Sequence, residues 1–89
     1  MKQFLLEVSN SIEADNIQDS STIWLVGSMG KREGAVVLTV KPGGFDKPNS
    51  SFIHVKMKKK AQDYFIEGVD KLQLDNMKCI PIISITVLS

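Results

Sequence analysis

The chain has little of what most enzyme chemistry needs. It contains one cysteine, one histidine, one tryptophan and one tyrosine in 89 residues. A single thiol, Cys79, excludes an internal disulfide framework and a multi-cysteine zinc site. His54 stands between Ile53 and Val55, with no sequence-local partner for metal binding or general-base work. Long hydrophobic runs are missing too. The most apolar stretch, Cys79 to Leu88, is about half the ~20 residues that a membrane-spanning helix requires. Residues 1–8 carry one lysine and a short apolar run that Glu7 interrupts, with no small-residue cleavage site after it. That pattern does not read as an export leader, so a reducing cytoplasm is the expected location and no membrane partner is expected.

Repeats, low-complexity tracts and linkers are also lacking, so residues 1–89 read as a single domain. The hydrophobic content of 43% is ordinary for a folded chain and too high for a disordered one. A core this small buries only about 60–65% of the unfolded surface. A homodimer is therefore one expected route to further burial.

What the chain does have is polarised charge. Eight of its eleven basic residues fall between Lys31 and Lys60, against two acids, Glu33 and Asp46. The flanking thirds are net acidic, so the overall +1 hides a strong asymmetry. Such asymmetry speaks to partners more than to fold.

Period-two patterning and β propensity mark strands at 2–8, 22–28, 34–41, 51–58 and 79–88. Gly27 to Gly34 reads as a hairpin connection, and Gly43 to Ser50 as a second loop guarded by Pro42 and Pro48. Asn10–Ser21 reads as a loop or an irregular extra strand. From Lys59 to Leu72, apolar residues recur at spacings of three and four, which predicts a helix, although Gly68 weighs against it. The expected fold is α+β: a small, mainly antiparallel sheet of about five strands with one helix, in the order β-β-β-β-α-β. A partly closed barrel of the OB kind is the alternative. Pro81 suggests an edge or a bulge at the start of the last strand.

The strand from Phe52 carries the functional expectation. Strict alternation puts Ile53, Val55 and Met57 on one face and Phe52, His54, Lys56 and Lys58 on the other. Lys59 and Lys60 extend the basic row. Lysines neutralise phosphates, and aromatic rings stack on splayed bases. Lys31, Arg32 and Lys41 would lengthen the track if their hairpin lies alongside. The competing readings are a solvated or edge-protecting strand, an acidic protein partner, or lysines facing the chain's own acids.

Other signals are weaker. Gly27-x-x-Gly30-Lys31 fails the phosphate-loop spacing, since two residues rather than four separate its glycines. A flexible turn is the better reading of that segment. Cys79 is expected to be buried as a small apolar residue. Trp24, with Thr22 and Val26 on its face, reads first as core and second as an exposed stacking or protein-contact anchor. Asp63 and Glu67 would share a helix face, most simply a solvated one. Residues 22–28 and 79–88 are apolar on both faces; in the latter Ile83, Ile85 and Val87 oppose Ile80, Ile82 and Leu88. This suggests a protein contact or dimer.

The sequence therefore points to a non-enzymatic binding module for single-stranded nucleic acid, RNA slightly ahead of DNA, with no cofactor. The rival is a small inhibitor or antitoxin-type protein that docks on an enzyme, or on an enzyme–RNA complex, through its apolar strands. An enzyme is disfavoured, because no nucleophile–base pair or metal cluster is visible.

Overall fold

A computed structural model describes residues 3–58, 68–74 and 78–88. Six strands occur among them: β1 (Gln3–Ser9), β2 (Thr22–Val26), β3 (Arg32–Pro42), β4 (Ser50–Met57), β5 (Lys71–Gln73) and β6 (Cys79–Val87). They form a closed barrel in the order β1-β4-β3-β2-β5-β6, with every pairing antiparallel. The expected sheet of about five strands is thus corrected to a closed barrel of six described strands, with which the OB-like alternative is compatible. β2, β3 and β4 form a meander, and β1 lies beside β4, which is a Greek-key arrangement.

Alternation explains the interior. Phe4, Leu6 and Val8 of β1, Ile23 and Leu25 of β2, and Ile53, Val55 and Met57 of β4 all point inward and are buried. In a barrel this small the side chains themselves fill the space. Closure also removes the free edges that would invite aggregation.

Two bulges modify this pattern. On β3 the register with β4 shifts between Val37 and Thr39, leaving Leu38 as the extra residue. Val37 and Val40 then face the core, while Thr39 and Lys41 face out. On β6 the register with β1 shifts between Ser84 and Ile82, leaving Ile83 extra. Ile80 is buried, and Ile82 and Ile85 pack against the core, while Ile83 is pushed outward. The expected grouping of Ile83, Ile85 and Val87 on one face is corrected by that bulge.

The expected helix over 59–72 needs its end corrected. Lys71 and Leu72 belong to β5, where Leu72 is fully buried between Leu25 of β2 and Ile80 of β6. Lys59 to Glu67, and with them the Asp63–Glu67 pair, lie outside the described residues. The helix that is described, α1 (Ile12–Asp15), is a single turn in the acidic segment. Ser11 caps it by accepting from the Ala14 N–H at 3.0 Å. Ala14 and Ile17 then join the core cluster, so residues 10–21 are neither a plain loop nor a strand.

No described helix is long and apolar enough to cross a membrane. Cys79 is exposed on β6, contrary to its expected burial. Pro81 pairs with Lys71 inside the β5–β6 ladder and so is not on a free edge.

Candidate nucleic-acid interface

The outer surface of β2, β3, β4 and β1 gathers most of the basic and aromatic residues picked out above. Directly paired residues of antiparallel strands share a face. The registers therefore define rows across this surface. Lys56 of β4 lies between Val36 of β3 and Gln3 of β1. His54 lies between Thr39 and Leu5. Phe52 lies between Lys41 and Glu7. Beyond the end of β4, the Lys58 N–H donates to the Gly34 carbonyl at 3.1 Å and continues the series.

β4 is flanked on both sides by strands, so its lysines do not defend an edge. Lys41, Lys56 and Lys58 form no ion pair with any described residue. The lysine that does is Lys47, in the β3–β4 loop, 3.9 Å from Glu7. Glu7 is buried on the outer face and accepts from Ser50 Oγ at 2.9 Å and Ser84 Oγ at 3.1 Å. Its charge is thereby enclosed at one end of the face.

The β3 bulge is essential to this arrangement. Strict alternation from Ala35 and Val37 would send Lys41 into the core. The extra residue at Leu38 returns Lys41 to the surface, opposite Phe52. His54 is held as well: its Nε2 lies 2.8 Å from Gln3 Oε1.

At the other end of the face stands Trp24, half-buried on the outside of β2 opposite Gly34. Its first reading as a core residue is corrected, because Ile23 and Leu25 fill the interior instead. The Arg32 guanidinium lies 4.9 Å from the ring centroid and its Nη1 donates to Gln73 Oε1 at 2.7 Å. Glycine at position 34 makes room for the ring: a Cβ there would meet Trp24 at 3.4 Å and the Lys58 stem at 3.5 Å. Lys31, exposed, precedes β3 at this end. Lys59 and Lys60 lie outside the described residues.

The Gly27–Gly34 connection is a tight hairpin turn closed by the Gly27 N–H donating to the Lys31 carbonyl at 2.8 Å. Thr39 and Leu5 were not singled out in the sequence, and only the register could have found them. Phe45 was also missed. It sits fully exposed at the tip of the β3–β4 loop, beside Pro42 and Pro48. Its signal was present as an aromatic inside a Gly- and Pro-rich turn.

Among the described residues, no three His, Cys, Asp or Glu side chains are grouped as metal ligands would be. Comparison with protein-family models, curated proteins and solved structures finds no match to this chain.

Proposed function

We propose that this chain is a non-enzymatic binding module for single-stranded nucleic acid. One observation carries the reading. Arg32, Trp24, Lys58, Lys56, His54, Phe52 and Lys41 share one outer barrel face, and its lysines have no described acidic partner. Phosphates would be neutralised by Lys41, Lys56 and Lys58, with Lys31, Lys59 and Lys60 as extensions. The rings would stack on unpaired bases, which every base permits through its π-face. Use of a sheet face in this way is the habit of OB-like barrels, with which a closed antiparallel barrel is compatible. RNA is placed ahead of DNA because Thr39 and His54 offer polar atoms to a ribose 2′-hydroxyl. An exposed free thiol at Cys79 suits a reducing compartment such as the cytoplasm.

The test is binding of fluorescent single-stranded RNA and DNA across a salt series. Affinity should fall steeply as salt rises. Lys56→Glu with Lys58→Glu should abolish retention while the fold survives. Failure to bind at low salt would transfer the weight to a protein-docking role. That second reading draws on Ile83, Val87 and Leu88, which leave apolar surface exposed along β6.

A further inference from the structure

The face holds a depression of about 310 Å³, lined by Leu5, Thr39, Lys41, Pro42, Phe52 and His54. We infer that this depression is a slot for one nucleobase, a reading that rests on the proposed nucleic-acid role and gives it a defined subsite. The argument begins with strand geometry. Side chains two residues apart on one face of a strand are separated by two rises, about 6.8 Å. A planar ring needs about 3.5 Å of clearance on each side, or about 7 Å in all. The spacing of Phe52 and His54 therefore matches one ring inserted between two others.

The walls fit the same occupant. Leu5, the β1 partner of His54, gives an apolar side. Thr39, the β3 partner of His54, places a hydroxyl that can donate to or accept from a base edge. Lys41, the β3 partner of Phe52, sets an ammonium group where the attached phosphate would lie. One wall of the slot is also held before any ligand arrives. Gln3 Oε1 sits 2.8 Å from His54 Nε2 and restrains the imidazole, so little side-chain freedom is lost on binding. Glu7, the β1 partner of Phe52, stands across that ring from Lys41 with its carboxylate bonded to Ser50 and Ser84, which favours phosphates on the Lys41 side.

The test compares two DNA decamers of equal charge at low salt, oligothymidylate and a decamer of abasic tetrahydrofuran residues. The wild type should bind the base-bearing decamer at least tenfold more tightly. Phe52→Leu and His54→Ala should each weaken oligothymidylate by roughly 5- to 150-fold, the range for losing one stacked base. Neither should change affinity for the abasic decamer. Phe52→Trp, which keeps a stacking surface, should retain the preference and so separates loss of stacking from misfolding. Equal affinity of wild type for both decamers, or an unchanged Phe52→Leu, overturns the slot while leaving a phosphate-binding face standing. If neither decamer binds, the slot falls; if oligouridylate of the same length also fails at low salt, the broader reading falls with it.

Discussion

Arg32 reaches over Trp24 with its guanidinium carbon 4.9 Å from the ring centroid, and its hydrogen bond to Gln73 holds it there. The pair joins three strands, since Arg32 is on β3, Trp24 on β2 and Gln73 on β5. A cation held over indole contributes about 0.5–1 kcal/mol at an exposed site.

That pair supplies a built-in reporter, because Trp24 is the sole tryptophan. Arg32→Ala should shift the emission of the free protein. Single-stranded oligomers should quench the wild-type emission if bases stack at this end of the face. Arg32→Lys should keep the charge yet lose the planar fork and its bond to Gln73. Its affinity should therefore fall close to that of Arg32→Ala. Wild-type affinity in the lysine variant would show that charge alone matters there.

The lysines should be countable. Each phosphate contact to a single strand contributes about −0.7 to the slope of log K against log salt. Removing Lys41, Lys56 or Lys58 one at a time, as alanine variants, should lower the magnitude of that slope by about this amount. A slope unchanged in Lys56→Ala would remove Lys56 from the contacts. Lys47→Ala should leave the slope nearly intact, since Lys47 is committed to Glu7.

Glu7 should matter for stability more than for binding. Glu7→Ala would strand the buried Ser50 hydroxyl and release that of exposed Ser84, at a cost of about 2 kcal/mol. Glu7→Gln, which keeps an acceptor, should cost about 1 kcal/mol. Chemical denaturation of the two variants reads this difference. Equal stability of both with wild type would show that the enclosed carboxylate contributes nothing net.

Gly43 should be the least replaceable residue of the β3–β4 loop. A Cβ there would fall 2.2 Å from the Lys47 carbonyl oxygen and 2.9 Å from that of Ser50, both backbone atoms that cannot step aside. The Gly43 N–H also donates to the Ser50 carbonyl at 2.9 Å. Gly43→Ala should cost about 2 kcal/mol or more. Phe45→Ser at the tip of the same loop should leave the melting temperature unchanged, because the ring is fully exposed. A large drop for Phe45→Ser would mean that the ring packs on something in the folded chain.

Five of the six described strands were legible in the sequence, and for one reason. β1, β2, β3, β4 and β6 each carry enough β-branched, aromatic or alternating residues to declare a strand, although in β2 and β6 both faces are apolar. The inward and outward faces of β4 were legible because its pattern runs from Phe52 to Met57 without a break. β5 was not, because three residues carry no period, and Leu72 continued the spacing of a helical stripe. The face of Trp24 was hidden, because Ile23 and Leu25 are as apolar as their neighbours. Lys41 was named as a contact, but what turns it outward is the bulge at Leu38, a property of the β3–β4 register. Barrel closure depends on pairings such as Leu6 with Ile85, nearly eighty residues apart. No local pattern contains that information.

β1 is clasped between β4 and β6, and the Leu88 N–H donates to the Gln3 carbonyl at 2.9 Å. The first described strand therefore waits for the last before its seam is shut. Contacts of such sequence separation make folding slow relative to a chain of local contacts. They also place a condition on function. Leu5 and Gln3, which wall the slot and hold His54, belong to the strand that β6 secures. A chain still emerging from the ribosome would carry every lysine of the track yet lack a settled wall for the base. Competence to bind would thus arrive only once β6 has paired with β1, as a property of the finished ring of strands.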